Sequence, residues 1–314
     1  MKKVNLSIGL AAFNEEANIS WMLSSVLKQK EISFKIQEII IYSDGSTDKT
    51  VEFIKSFKDK RIITVNSPKR LGKPSRLNQI FKNFSGDYLL LTDADVKFSD
   101  SLVIERLIIK AKSDFSLSLI MAKIYPFEGS RLLEKAAFNF FTARENVKNG
   151  YDYTKTVYAA RGAGMLLSKK FAKSLSLPVK ILNDDAYIYL AARSKNLGIS
   201  FVRNAVILYK SVDNIFEYRK QFERYLDGEK QLRTYFSSAL IKTEYRAPKK
   251  LLLRIMFKQI RTNPLAYVLL RLINSYCHYD LKFRNQITSI KWSTATSSKT
   301  LMIGQMIENT RGNI

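Results

Sequence analysis

Two aspartates separated by one small residue, Asp93 and Asp95, follow the apolar run YLLLT at 88–92. Like charges this close repel one another, and the repulsion raises a pKa unless a cation lies between them. Oxygen ligands favour Mg²⁺ or Mn²⁺, and Mg²⁺ is usually held by one or two carboxylates together with substrate phosphates. The pair therefore predicts a divalent cation with a di- or triphosphate ligand; the alternative is an ordinary aspartate-rich turn.

The elements that must position these carboxylates alternate between strand and helix. Apolar runs predict strands at 4–13, 36–43, 61–66 and 87–93, with helices after residue 14, at 50–57 and at 77–84. Strands that are apolar throughout, separated by amphipathic helices, indicate a mostly parallel sheet with helices on both faces. In such sheets ligands bind beyond the carboxyl ends of the strands, where the polar loops of this chain lie.

Two of these polar loops contain further candidates. Asn14 is predicted to cap the first helix, with Glu15 and Glu16 in its first turn. Asp44, in SDGSTDKT, is predicted to remain spare and to accept hydrogen bonds from a base or ribose. The alternative for that segment is a turn followed by a helix cap at Ser46 or Thr47.

The segment RLGKPSRLN (70–78) places a Gly-Lys pair before a helix. It lacks the first glycine and the final Ser/Thr of a Walker motif, so that interpretation fails. A looser role near a diphosphate remains for Arg70, Lys73 and Arg76. Further along, the patterns predict strands at 115–121 and 201–209 and helices at 131–146 and 221–236, and Asn183 opens another helix.

The composition narrows the function classes. Lys and Arg number 52 against 28 Asp and Glu, a net charge of +24 that suggests nucleic acid, an anionic membrane or phosphorylated substrates as partners, or else merely solvated faces. The sequence contains one cysteine, Cys277, and one histidine, His278. These counts argue against a disulfide framework, against Cys- or His-based zinc sites and against a Ser-His-Asp triad. The first apolar run is interpreted as a strand and not a signal peptide, and no run of eighteen uncharged apolar residues predicts a membrane span.

The C-terminal part of the chain is basic. Residues 242–291 contain eleven Lys or Arg and two acidic residues, and KKLLLRIMFKQIR (249–261) has the pattern of an amphipathic helix. Lys250, Arg254, Lys258 and Arg261 form one stripe of it. This pattern is typical of a helix lying on an anionic membrane, and equally of a helix packed on the core with a solvated basic edge.

Taken together, the motifs resemble those of the family 2 glycosyltransferases, which have the GT-A fold. The matching segments are LAAFNEEANI (10–19), SDGSTDKT (43–50), GKPSRLN (72–78) and TDADV (92–96). The resemblance implies a GT-A domain over 1–240, with a nucleotide-binding half at 1–100 and an acceptor half at 101–240. Residues 241–314 would form a basic, mainly helical extension.

The resemblance also implies roles for individual residues. Asp185 would be the catalytic base with Asp184 beside it, and an assignment shifted by one residue stays open because the two are adjacent. Asp95, with Asp93, would hold Mg²⁺ or Mn²⁺. The nucleotide-sugar site would contain Ala12, Asn14, Glu15, Asp44, Lys73, Arg76, Asp93, Gly162 and Ala163. The acceptor or diphosphate side would contain Arg161, Gln221, Arg224 and Tyr225, where Tyr225 replaces the tryptophan of a Gln-x-x-Arg-Trp motif.

The implied reaction is inverting transfer of a sugar from a UDP-linked donor to an acceptor hydroxyl. The product would be a cell-surface polysaccharide, a glycolipid or a polyprenyl-linked glycan. The enzyme would be cytoplasmic and peripheral on the inner face of the cell membrane, with no nucleic-acid partner. The alternatives are a nucleotidyltransferase, disfavoured by the acidic first loop, and a non-catalytic nucleotide-sugar-binding protein.

Overall fold

A computed structural model describes residues 2–147, 154 and 156–283 of the chain. The strands are β1 Val4–Ala12, β2 Phe34–Asp44, β3 Ile62–Ser67, β4 Tyr88–Leu91, β5 Val96–Phe98, β6 Leu117–Pro126, β7 Met165–Ser168 and β8 Gly198–Tyr209. The helices are α1 Ile19–Leu27, α2 Thr50–Ser56, α3 Lys73–Asn83, α4 Val103–Ser113, α5 Leu132–Val147, α6 Lys169–Lys173, α7 Asp184–Ser194, α8 Ile215–Leu232, α9 Ser238–Glu244, α10 Lys249–Thr262 and α11 Pro264–Phe283.

The strands form one sheet in the order β3-β2-β1-β4-β7-β6-β8-β5. The pairs β2–β3, β1–β2, β1–β4 and β6–β8 are parallel, whereas β7 is antiparallel to both of its neighbours and β5 is antiparallel to β8. The predicted α/β class with a mostly parallel sheet is confirmed. Since β1, β2 and β4 run in the same direction, their carboxyl ends meet at one edge.

Helices cover both faces of this sheet, as the sequence predicts. Ile39 and Ile41 of β2 point to a core that contains α1 and α4. Ile40 and Tyr42 of the same strand point to a second core, with α3, α6 and α7. The alternation within one strand follows from the period of two of extended backbone, and it explains why the strand is apolar throughout.

The start of α1 differs from the prediction. The helix begins at Ile19 with Asn18 as its N-cap, and Asn14 lies outside it with φ of 51°. Asparagine tolerates this left-handed conformation better than most residues, so the chain turns here and does not enter a helix. The prediction of a cap at Asn14 with Glu15 and Glu16 in the first turn is wrong.

The C-terminal helices pack on the main body through one face only. Helices α10 and α11 both lie against α5, where Ile255 and Gln259 of α10 are buried. A third apolar cluster joins Leu270 and Ile273 of α11 to Val212. The predicted domain boundary at residue 240 falls inside α9, whose Glu244 is 1% exposed and hydrogen-bonded to Tyr189 of α7. The remainder of the predicted extension, 284–314, lies outside the described residues.

Candidate active site

A pocket lies at the carboxyl ends of β1, β2 and β4. It brings together most of the residues that the sequence selects from distant parts of the chain. The predicted residues that line it are Ala12, Glu15, Asp44, Arg70, Lys73, Asp93, Asp95, Arg161, Gly162, Ala163, Asp184, Asp185, Gln221, Arg224 and Tyr225. The residues predicted from the first hundred positions and those from 161–225 therefore face one another across the same space.

The floor of the pocket is organised around the ammonium group of Lys73. Its Nζ lies 2.6 Å from Oδ1 of Asp93 and 3.3 Å from Oδ2 of Asp184. Burial alone would lower the pKa of Lys73, but the carboxylates of Asp184, Asp93 and Asp185 outweigh it and raise the pKa above its usual value. Lys73 thus connects the end of β4 to the start of α7.

Gly162 allows the chain to pass close to this cluster. A Cβ at that position would lie 3.0 Å from Lys73 Nζ and within 4 Å of both Asp93 and Asp184. The backbone of the 162–164 turn, which leads into β7, therefore covers the lysine and its two carboxylates. A side chain at 162 would displace the ammonium group.

Asp185 lies in the first turn of α7. Its Oδ1 accepts a hydrogen bond from the backbone N–H of Ala186 at 2.7 Å. Burial and the neighbouring Asp184 raise the pKa of Asp185, against the opposing effects of Lys73, that N–H and Arg161. The adjacent Asp184 is paired with Lys73, so the two aspartates have different environments although they are neighbours in sequence.

Asp44 is not spare, contrary to the prediction. Its Oδ1 accepts hydrogen bonds from Nε of Arg76 at 2.7 Å and from the backbone N–H of Leu71 at 2.8 Å. Its Oδ2 accepts one from the N–H of Gly72 at 2.8 Å. Asp44 and Arg76 are each 3% exposed. A buried carboxylate requires such partners, and here they fix the loop that precedes Lys73.

The position of Arg76 also differs from the prediction, which places this residue near a diphosphate. Besides Asp44, its guanidinium donates to the carbonyl of Lys69 at 2.7 Å and to Gln79 Oε1 at 3.0 Å. It lies beneath the loop and is absent from the described pocket lining. The reason is electrostatic, because burying Asp44 demands a cation at that place.

Asn14 holds two loops together and is likewise absent from the described lining. Its side-chain oxygen accepts the N–H of Thr47 at 2.8 Å, and its backbone N–H donates to Ser46 Oγ at 3.1 Å.

Helix α2 starts at Thr50, where Asp48 accepts the backbone N–H at 3.0 Å. The alternative prediction of a cap at Ser46 or Thr47 is therefore wrong as well.

Several lining residues escaped the sequence reasoning. Phe13 stacks with Arg70, whose guanidinium carbon is 3.8 Å from the ring centroid. Glu217 and Lys220 of α8 also line the pocket, as do Tyr209, Lys210 and Val212. The sequence does contain a pattern that predicts the pocket face of α8. Residues 217, 220, 221, 224 and 225 recur at three- and four-residue spacing and share one helical face.

Two carboxylates of the pocket, Asp93 and Asp95, are the candidate metal ligands. Asp93 and Asp95 both line the pocket, but among the described residues no group of three or more Asp, Glu, His or Cys side chains is arranged to hold a metal ion. Two carboxylates match the protein share of a Mg²⁺ site that substrate phosphates complete. The donor set fits a cation bound jointly with a ligand.

Comparison with curated proteins finds partial relatives. The chain is 41% identical over 87 residues to poly-beta-1,6-N-acetyl-D-glucosamine synthase of Staphylococcus aureus, which is 27% of this chain and 20% of the relative. The corresponding synthase of Staphylococcus epidermidis is 36% identical over 96 residues, covering 30% and 23% of the two chains. The match thus spans about a fifth of these relatives' length.

Comparison with solved structures identifies the fold. A mannosyltransferase of Pyrobaculum calidifontis, solved with GDP-Man and Mn²⁺, aligns over 100% of this chain and 89% of its own with a TM-score of 0.57 and 13% identity. S. aureus TarS 1-349 aligns over 84% and 73% with a TM-score of 0.54 and 14% identity. The predicted GT-A fold is confirmed.

Two further findings complete the comparison. Within the described residues, no helix is both long and apolar enough to cross a membrane. The family model described as glycosyl transferase family 2 matches residues 7–174, which is more than half of the chain and includes the loops after β1, β2 and β4. The chain therefore belongs to glycosyl transferase family 2.

Proposed function

We propose that the protein is an inverting glycosyltransferase that moves a sugar from a UDP-linked donor to an acceptor hydroxyl during the synthesis of a cell-surface glycan. The observation that carries this proposal is the position of Asp185, which lines the same pocket as Asp93 and Asp95 although it comes from the other half of the chain. The partial relatives are synthases of an N-acetylglucosamine polymer, which supports the substrate class.

In the proposed reaction Asp185 accepts the proton of the acceptor hydroxyl as that oxygen attacks the anomeric carbon. The bond from that carbon to the diphosphate oxygen breaks at the same time, and UDP leaves with the electron pair. The raised pKa of Asp185 brings the base closer to neutral pH and makes proton transfer more favourable. Lys73 supports the arrangement, because it holds Asp184 by an ion pair and keeps α7 next to the end of β4. Phe13 and Arg70 line the donor end, where an aromatic face and a guanidinium suit a base and phosphates.

A divalent cation is proposed as cofactor, held by Asp95 and Asp93. When bound, such a cation neutralises the charge that develops on a departing nucleoside diphosphate. Asp95 is proposed as the principal ligand, as the resemblance of TDADV to the family's motif implies, and Asp93, whose carboxylate also contacts Lys73, as the second. The mannosyltransferase with the same fold was solved with Mn²⁺, which supports a divalent metal in this fold.

Nucleotide and metal together are expected to stabilise the protein against unfolding. A ligand that binds only the folded state at one hundred times its dissociation constant adds about 2.7 kcal/mol. We therefore expect a clear rise in melting temperature with UDP plus Mn²⁺ in a thermal-shift assay. Single-stranded DNA and Mn²⁺ alone serve as controls and are expected to give little change. Equal stabilisation by DNA, or none by any nucleotide with metal, would contradict the proposed function.

The proposed location is the surface of an anionic membrane, contacted by α10 and α11. Each helix has two apolar faces. On α10, Ile255 faces the core, while Leu253 and Phe257 remain 50% and 64% exposed on the opposite side. On α11 the buried stripe is Ala266, Leu270, Ile273 and Cys277, and the exposed stripe is Leu265, Val268, Leu272, Tyr276 and Tyr279. We call the exposed apolar residues of both helices the outer face.

The charge around the outer face favours a lipid surface over a second copy of this chain. From Tyr245 to Tyr279 there is no acidic residue, and the basic residues are Arg246, Lys249, Lys250, Arg254, Lys258, Arg261 and Arg271. Two such surfaces would repel each other. Large exposed apolar patches mark interaction sites, and basic residues beside them are attracted to anionic lipid by about 1 kcal/mol each.

Vesicle binding tests this location. Leu253→Glu combined with Phe257→Glu is expected to weaken binding to vesicles containing anionic phospholipid by at least about tenfold, because both apolar side chains would lose their contact with lipid. High salt is expected to release the wild-type protein. Phe115→Glu is the matched control, since Phe115 is 85% exposed outside α10 and α11. The proposed surface would be refuted if the wild-type protein bound neutral vesicles as tightly as anionic ones. It would also be refuted if the double variant bound anionic vesicles as tightly as the wild type.

A further inference from the structure

One wall of the pocket carries an excess of positive charge. Helix α8 contributes Lys220 and Arg224 from its pocket face, Lys210 follows β8, and Arg161 precedes the 162–164 turn. We call these four residues the basic wall. Glu217 is the one acidic residue that α8 adds to the described lining. The four residues of the basic wall counted together with Glu217 thus have three more positive charges than negative ones.

Arg161 is the fixed part of this wall. Its Nη1 donates to the hydroxyl of Tyr225 at 3.3 Å, and its guanidinium lies 5.4 Å from the ring centroid of Phe141. A guanidinium held by an aromatic face and a hydroxyl has few alternative positions, so its charge is preorganised. Lys220, by contrast, is exposed at the rim, where a flexible ammonium group meets incoming molecules.

The basic wall and the donor end belong to different parts of the pocket lining. The donor end is built from the loops after β1, β2 and β4 and has its own cations, Arg70 and Lys73. The basic wall comes from the segments at 161, 210 and 220–224, which the family match at 7–174 covers only at Arg161. Asp185 lies close to both sets, because its carboxylate acts electrostatically on Lys73 at the donor end and on Arg161 of the basic wall. A ligand of the basic wall would therefore be the acceptor.

We propose that the acceptor carries a phosphate group and that Lys210 and Lys220 bind it, with Arg161 and Arg224 adding to the positive field. This inference rests on the proposed function and names the acceptor class for the same site. A phosphate monoester has between one and two negative charges at neutral pH, which the excess positive charge around the basic wall is sufficient to neutralise. Lysine binds phosphate as a point charge and does not require the planar geometry that a carboxylate offers to arginine. Binding of the phosphate at the rim leaves the acceptor hydroxyl free to reach Asp185.

The test separates the phosphate site from the donor site by filling the donor site first. Full-length protein saturated with UDP and Mg²⁺ is titrated with glycerol 3-phosphate or with glycerol by calorimetry. Wild-type protein is expected to bind glycerol 3-phosphate and not glycerol. Lys210→Met combined with Lys220→Met is expected to weaken that binding by at least about tenfold, the effect of losing charge-assisted hydrogen bonds.

The matched control is Lys230→Met on the same helix. Lys230 is 77% exposed, pairs with Asp227 at 3.0 Å and is absent from the described pocket lining, so binding should not change. Phosphatidylcholine vesicles with and without polyprenyl phosphate form the second arm. If the wild type binds the polyprenyl phosphate vesicles more tightly than the double variant does, the ligand is a lipid-linked phosphate. If the two proteins differ only in their binding of glycerol 3-phosphate, the ligand is a soluble phosphate.

Two results would overturn the inference. One is the absence of phosphate binding, in both arms, by protein that does bind UDP. The other is equal binding by the wild type and the double variant. Failure of the proposed function has a different signature, namely that UDP itself does not bind in the presence of metal.

Discussion

Asp185→Asn is expected to lower the turnover number for sugar transfer by about 10²–10⁴-fold, the usual contribution of a general base. Asparagine preserves the size of the side chain and an oxygen that accepts the N–H of Ala186, but it cannot take the proton of the acceptor. The dissociation constant for UDP should change little. Steady-state transfer kinetics together with UDP titrations measure the two effects separately.

The pH dependence gives the same prediction a second readout. A base acts only when it is deprotonated, so the wild-type kcat/KM should fall as the pH decreases through the pKa of Asp185. Burial and Asp184 raise that pKa. The decrease in kcat/KM should therefore begin at a higher pH than it would for an ordinary aspartate, whose pKa is about 3.9. The acid limb should vanish in Asp185→Asn.

The matched control for this variant is Asp227→Asn, because Asp227 is a partly buried aspartate of α8 that pairs with the surface residue Lys230. It should keep normal turnover. Asp184→Asn tests the assignment of the adjacent residue: since Asp184 is paired with Lys73, we expect a smaller loss of turnover than for Asp185→Asn. Near wild-type turnover of Asp185→Asn, or a larger loss at Asp184, would contradict the assignment.

The sequence predicts well what depends on local pattern. The apolar strands and amphipathic helices of the first hundred residues appear close to their predicted positions, and Asp93 and Asp95 follow β4 as expected. The reason is that a strand buried on both faces and a half-buried helix each leave a periodic signature. The clustering of polar loops followed from a general property of parallel sheets, not from any one motif.

The sequence predicts poorly what depends on contacts between distant segments. The ion pair between Asp44 and Arg76 joins residues 32 positions apart, and neither residue type indicates in advance that it will be buried. The insertion of β7 between β4 and β6, antiparallel to both, likewise has no local signal. The conformation of Asn14 is fixed by hydrogen bonds to Ser46 and Thr47 in another loop.

The two surfaces proposed above, the basic wall and the outer face, are linked through α8. That helix carries Lys220 and Arg224 on its pocket face and packs on α11 through other residues. Tyr218 donates to Asn274 Oδ1 at 2.9 Å, and Arg219 pairs with Asp280 at 2.5 Å. Such a connection would hold the basic wall at a fixed distance from a membrane that α11 contacts.

Arg76→Met is expected to lower the free energy of unfolding by about 3–5 kcal/mol, because it leaves the carboxylate of Asp44 buried without its cation. Chemical denaturation measures this loss. The contrast is Arg106→Met, which removes a surface pair with Asp100 whose side chains are 27% and 45% exposed, and which should cost no more than about 1 kcal/mol.

The double variant Arg76→Met with Asp44→Asn distinguishes a buried charge from a lost contact. If the cost of Arg76→Met arises from the unpaired carboxylate, neutralising Asp44 should restore part of the stability. The recovery should be incomplete, because asparagine has one oxygen and can accept only one of the two N–H groups, from Leu71 and Gly72, that the two carboxylate oxygens accept. An unchanged unfolding free energy in Arg76→Met, combined with weaker binding of UDP, would instead return Arg76 to the role of a phosphate ligand that the sequence first suggested.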